Sequence, residues 1–378
     1  MVTGKRAIGV ALSAGALALG VSACGGQDNG GGSASTATSG GAESSAPKLN
    51  GKIAVLLPDS KSSDRWEKAD RRFFEEAFKA AGLTKDDYII NNAEGDPANQ
   101  RSQAEQAITE GAKTILLVNL DSGSGAAIID AAKAQGVTMI DYDRLTTNGN
   151  ADYYVSGDAT EAGRLQGRGI IEDLAKNGAG KPAVAILDGA PTDSFATDLK
   201  KGYGEVLKPK FDSGEFRKVS QQAVPNWDGQ KALTIFEQML QKSGNKVDAV
   251  VAANDTIANA TISALKARKL DYVPTSGLDA TSQALQHILA GEQSFTVYFS
   301  IKDQATKAAN LAVQLARGQK ASGITTQVDN GKKQVPTILL KPQTIRKDNI
   351  ADTVIADDFV SWNEVCVGQY EKLCPANR

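Results

Sequence analysis

The chain has 378 residues, with 42 Lys and Arg against 44 Asp and Glu, a formal net charge of −2 and one histidine. A near-neutral chain with no basic stripe is a poor fit for nucleic acid. A single histidine leaves no cluster for a metal ion and no histidine-centred catalytic group.

The N-terminus reads as an export signal. Lys5 and Arg6 precede the apolar run AIGVALSAGALALGV (7–21), which is too short and too rich in Ala and Gly for a membrane span. The run closes in VSAC, residues 21–24, which resembles a bacterial lipobox with Val in place of the commoner Leu. Residues 1–24 are therefore expected to be a lipoprotein signal, with Cys24 becoming the lipid-carrying N-terminus of an exported protein. Plain export with a free Cys24 is the alternative. Residues 25–48 are almost entirely Gly, Ser, Ala, Thr and Asn. Such a segment cannot bury enough apolar surface to offset chain entropy, so it is expected to act as a flexible tether reaching ~25–30 Å.

From Lys52 the pattern alternates between short aliphatic runs and helical periodicity. KIAVLLP, DYIINNA, KTILLVNL and VTMIDYD read as strands, and DRRFFEEAFKAAG, ANQRSQAEQAITEG and GAAIIDAAKAQG as the helices between them. YYVSGD follows, and the rhythm restarts. PAVAILDG, FRKVSQQAV, VDAVVAAND and VPTSGLD read as strands of a second unit, separated by helices that include TSQALQHILAG. FTVYFS, a long helix and the extended pair VPTILLKPQTI complete the chain. The fold class expected is α/β, with two doubly wound Rossmann-like parallel-sheet lobes built from right-handed βαβ units. The lobes are expected to cover 49–157 plus 301–332 and 158–300 plus 333–360. The tail, 361–378, carries CVGQYEKLC, and in an exported chain the close pair Cys366 and Cys374 reads as a disulfide. His287 falls within a helical pattern and is expected to be structural or on the surface.

In doubly wound sheets, ligands meet the loops at the carboxyl ends of the strands. Here those loops are PDSKSSDRW, NLDSGSG and DYDR in the first unit, and DGAPTDSF, VPNWDG, AAND and GLDA in the second. They contain no nucleophile elbow, Walker loop or dinucleotide fingerprint. DSGSGAA reads as a tight turn and helix cap. The loops are instead rich in Asp, Asn, Arg and Trp. Planar carboxylate, amide and guanidinium groups bond adjacent hydroxyls, and an indole face covers the C–H side of a sugar ring. The competing explanation is that Asp and Asn simply form turns and caps.

The segments SSDRW, YDRL, VLKPKFDSGEF, VVAANDTIANA, SGLDA, ILAGEQSFTVY and NIADTVI resemble the periplasmic sugar-binding proteins of ABC transporters, in the D-xylose-binding and multiple-monosaccharide-binding group. The resemblance runs from about residue 52 to about residue 359, and the CVGQYEKLC tail is similar to the actinobacterial members. It implies two lobes joined by three crossover strands, a monosaccharide held between them without a cofactor, and a membrane permease that recognises the closed form. Matched position by position, it assigns sugar contacts to Arg65, Arg144, Asp193, Trp227, Asn254 and Asp279, with Trp66 and Asp143 beside them. Phe195 and Phe299 stand where xylose binders carry Asn and Lys, so they too are expected in the pocket, in place of hydrogen-bonding groups. A small slip in register would put Ser194 or Lys302 there instead. The protein is expected to be a monomer at the outer face of the cell membrane and not an enzyme. A signalling receptor of the same fold is the alternative. A regulator's effector domain would need an N-terminal helix-turn-helix in place of the signal and tether. An exported glycosidase would need a carboxylic acid, which the neighbouring arginines would suppress.

Overall fold

The computed structural model describes residues 48–376, except 179 and 272. The signal, Cys24 and nearly all of the tether lie outside the described residues. Five parallel strands come first: β1 (Lys52–Leu57), β2 (Tyr88–Asn92), β3 (Ala112–Leu117), β4 (Thr138–Tyr142) and β5 (Tyr153–Gly157). β6 (Ala183–Asp188), β7 (Arg217–Ala223) and β8 (Ala249–Ala252) form a second parallel sheet in the order β7-β6-β8. β9 (Thr296–Tyr298) pairs antiparallel with β12 (Gln343–Ile345). β10 (Thr326–Asp329) and β11 (Gln334–Leu340) complete the first sheet, whose order is β10-β11-β5-β4-β3-β1-β2.

Helices cover the faces, so the inner strands are buried on both sides and read as continuous apolar runs. All six residues of β6 and the last five of β1 are buried. The helices start where the loops supply caps. Asp96, Asp121, Asp158, Asp193, Asp228 and Asn254 each accept a bond from a backbone N–H of the turn that follows.

Two expectations need correction. The sequence pattern places 333–340 in the second lobe, but β11 runs parallel to β5, with Thr337 opposite Tyr154 and Leu340 opposite Gly157, and so belongs to the first. The chain returns to the second lobe only at β12. VPTSGLD, read as a strand, makes only isolated bridges, Val250 with Thr275 and Leu278 with Val297. Its backbone bends away at Asp279 and Ala280, which have φ of 102° and 56°.

The chain passes between the lobes three times: after β5, after β9 and between β11 and β12. The first and third passages are bonded to each other, Asp158 N to Leu340 O at 2.9 Å. In the tail, Ser361 and Glu364 form a capping box on helix Trp362–Val365. The sulfurs of Cys366 and Cys374 lie 2.08 Å apart. Gln286 of the second lobe donates to the carbonyl of Val365, at 3.0 Å. His287 is buried, with Nδ1 2.6 Å from Glu292. Among the described residues, no helix is long and apolar enough to cross a membrane and no group of side chains could hold a metal ion.

Candidate functional site

The carboxyl ends of both parallel sheets face one another across a small, tightly closed cavity. The first lobe contributes Ser62, Ser63, Arg65, Trp66, Asp143 and Arg144 to its wall; the second contributes Asp193, Phe195, Trp227, Asn254, Leu278 and Asp279. Larger clefts open at the outer mouth, beside Arg144 and Trp227, and next to the C-terminal segment, with volumes of about 440 and 420 Å³. Neither gathers a comparable set of buried, converging polar groups.

The cavity is lined by charges taken out of water and paired. Arg65 donates from Nε and Nη2 to the two oxygens of Asp70, at 2.9 and 3.0 Å, and from Nη1 to Asp143 at 3.1 Å. Burial opposes the charge on this guanidinium, but Asp70 and Asp143 outweigh it and hold Arg65 firmly protonated. Tyr142 donates its hydroxyl to Asp70 at 2.6 Å, and Gln304 donates to Asp143 at 3.2 Å. On the other side, Arg144 Nε lies 3.0 Å from Asp193 Oδ2, which also accepts the Trp227 indole N–H at 3.0 Å. Burial raises the Asp193 carboxyl above its ordinary value, against the pull of Arg144. Burial pushes Asp279 further, up to about 8, against the pull of Arg65, so the expectation that the arginines suppress every carboxylic acid in this cleft does not hold.

Aromatic surface completes the wall. The Arg65 guanidinium sits 4.3 Å above the Trp66 ring and that of Arg144 lies 5.6 Å from the same ring. The Trp66 indole N–H reaches Ser62 Oγ at 3.2 Å. Trp227 stacks so closely over Gly189 that a Cβ there would stand 2.2 Å from its ring. Three wall residues hold a left-handed backbone: Asp143 at φ 66°, Trp227 at 56° and Asp279 at 102°. Such a conformation costs a non-glycine residue of order 1–3 kcal/mol and concentrates at functional sites.

Nine of the ten residues expected to meet the sugar line this cavity. Phe299 does not. Its ring lies one layer back, 6.1 Å from Phe195 and 5.9 Å from the Arg65 guanidinium, wedged where a Cβ on Gly157 would clash at 2.4 Å. The displacement follows from its place just after β9, where the chain turns into the second passage between lobes. Neither alternative residue fills the gap. Ser194 donates to Leu145 O at 2.7 Å, and Lys302 pairs with Asp358 at 2.7 Å on the surface. Sequence reasoning missed Ser62, Ser63 and Leu278 in the wall, and missed Asp70 behind Arg65. Asp70 carries no signal of its own in DRWEKAD; only the turn of helix Trp66–Asp70 brings it back to Arg65.

Comparison with known proteins agrees with this architecture. A family model described as a periplasmic binding protein domain matches residues 53–320. The D-xylose-binding periplasmic protein of Escherichia coli (strain K12) is 35% identical over 315 residues, spanning 83% of this chain and 92% of that protein. Its counterpart in Haemophilus influenzae is 36% identical over 319 residues, spanning 84% and 92%. Among solved structures, an ABC transporter solute-binding protein from Clostridium phytofermentans with bound β-D-glucose superimposes with a TM-score of 0.77 at 26% identity, covering 83% of this chain and 99% of that one. A carbohydrate transporter solute-binding protein from Chloroflexus aurantiacus in complex with D-glucose gives 0.76 at 27%, covering 82% and 97%. The chain therefore belongs to the periplasmic binding proteins of type I fold, in the sugar-binding group that serves ABC importers.

Proposed function

We propose that this protein is the capture receptor of a sugar importer, that it binds one monosaccharide between its lobes, and that Cys24 anchors it by a lipid outside the membrane. The observation that carries the reading is the cavity itself. Two guanidiniums, three aspartic side chains, one amide and two indoles converge on one small space from both lobes. Hydroxyls need charged, planar hydrogen-bonding groups, and the apolar ring face needs an aromatic surface. Arg65, Asp143, Arg144, Asp193, Asn254 and Asp279 are assigned to the hydroxyls, and Trp66 and Trp227 to the ring faces.

The sugar is of pyranose size, as in the glucose complexes of similar structures and in the xylose binders by sequence. Phe195 narrows the choice. It places an apolar ring in the wall beside Asp193, so the favoured sugar turns a C–H edge or an apolar substituent toward it. A membrane permease would take the sugar from the closed form of a monomeric receptor. Cys366 and Cys374 are assigned as a disulfide that pins the tail after export. A thermal-shift screen of pentoses, hexoses, deoxy sugars and polyols tests the reading. At least one monosaccharide should raise the melting temperature; a flat response to all of them would contradict it.

A further inference from the structure

The loop after β1 is tied to the opposite lobe through the backbone of Ser62. The carbonyl oxygen of Ser62 accepts two bonds from beyond the cavity: Asn254 Nδ2 at 3.0 Å and Thr256 Oγ1 at 3.1 Å. Both donors belong to the first turn of helix Asp255–Ala267 in the second lobe, where Asn254 Oδ1 simultaneously caps the helix through Ile257 N. Ser62 itself is held on all remaining sides. Its N–H and its hydroxyl both donate to Asp59, and the hydroxyl oxygen accepts the indole N–H of Trp66. A single residue thus touches the opposite lobe through its carbonyl and a wall aromatic through its side chain.

We propose that Thr256 is a positioning residue for capture: with Asn254 it clasps the Ser62 carbonyl when the lobes meet, and so sets how long the sugar is held. This rests on the capture reading above. Thr256 is not part of the cavity wall, so its effect passes through lobe closure and not through contact with the sugar. The bond spans the lobes, so it exists only when they are together. It therefore adds free energy to the closed form alone, and only a contact with that differential effect can shift an opening equilibrium. Opening is the step that releases ligand, so the loss of the bond is read in the off-rate. The on-rate, set by encounter with separated lobes, should stay the same.

Thr256→Val keeps the volume and branching and removes the hydroxyl; Thr256→Ser restores it. Dissociation is followed by stopped-flow tryptophan fluorescence, using whichever of D-xylose, D-glucose and myo-inositol binds the parent protein. Thr256→Val should release it about three- to tenfold faster, the scale of one neutral hydrogen bond. The association rate should stay within about twofold and the sugar-free melting temperature should not change, with Thr256→Ser close to the parent throughout. An unchanged off-rate in Thr256→Val overturns the proposal. So does a loss that appears equally in the sugar-free melting temperature, which would mark Thr256 as merely structural. If no monosaccharide of the screen binds the parent, the capture reading is what fails and the clasp, defined by ligand release, fails with it; binding with an unchanged off-rate in Thr256→Val overturns the clasp alone.

Discussion

Arg144 of the first lobe and Asp193 of the second form a buried ion pair, 3.0 Å from Nε to Oδ2, across the cavity. Asp193 is also the cap of helix Ser194–Asp212 and the acceptor for the Trp227 indole. One carboxylate therefore fixes a helix start, an aromatic wall and a contact between lobes.

Removing either charge should be felt in binding. Arg144→Ala deletes a hydroxyl partner and leaves the Asp193 carboxylate without its cation. A bond to a charged group contributes about 1.5–3 kcal/mol, so sugar affinity by calorimetry should fall by at least about tenfold. Asp193→Asn removes the charge and leaves one oxygen for acceptor bonds that now use two, the cap bond from Phe195 N and the indole bond from Trp227, so its affinity should fall as well.

Phe195 is the wall residue at which the sequence resemblance leads us to expect a difference from the xylose binders. Phe195→Asn places a hydrogen-bonding amide in the wall, which should favour D-xylose by about 1 kcal/mol relative to the sugar the parent prefers. Calorimetry on both sugars checks this. Phe299→Lys should disrupt packing instead, because its ring lies buried behind Phe195 and against Gly157. It should lower the melting temperature sharply.

These two phenylalanines show where the sequence was legible. Alternating aliphatic and helical segments located the strand ends, and the strand ends supplied nine cavity residues. The Asp and Asn residues there were open to two explanations, cap or ligand contact, and Asp193 and Asn254 satisfy both. What was not legible depends on tertiary geometry. Phe195 and Phe299 read alike as ring-for-polar changes, yet only one reaches the cavity. Strand β11 reads the same whichever sheet it joins. Ser62 is an ordinary loop serine until its carbonyl is seen facing Asn254 and Thr256.

Asp255 gives a pH test. Burial raises its carboxyl to about 7, against bonds from Thr281 N and Thr296 Oγ1, whereas an unfolded Asp titrates near about 3.9. Between those values the folded protein binds more protons than the unfolded chain. The stabilisation from this proton is full below about pH 4 and is lost as pH rises through about 7. Asp141, raised to about 7 by burial, acts in the same direction. Asp255→Asn should therefore show a shallower loss of stability from pH 5 to pH 8 than the parent, measured by urea unfolding. Parallel curves would contradict this.

The tail offers a chemical test. Purified exported protein should show no free thiol at Cys366 or Cys374 under denaturing conditions. Replacing both by serine should cost about 2–3 kcal/mol, on a loop-entropy basis for so short a loop, by chemical denaturation. At the other end, mass spectrometry of the membrane fraction should find a mature chain that begins at an acylated Cys24. A soluble product that begins elsewhere would remove the anchor from the account.

The central claim, that the cavity between the lobes captures one monosaccharide, is tested most directly by calorimetric titration of the best monosaccharide from the screen. The account predicts one site per chain with roughly micromolar affinity, about −8 kcal/mol, and no detectable binding in Arg65→Ala. Saturable binding that is untouched by Arg65→Ala, or no heat from any monosaccharide or polyol, would contradict it.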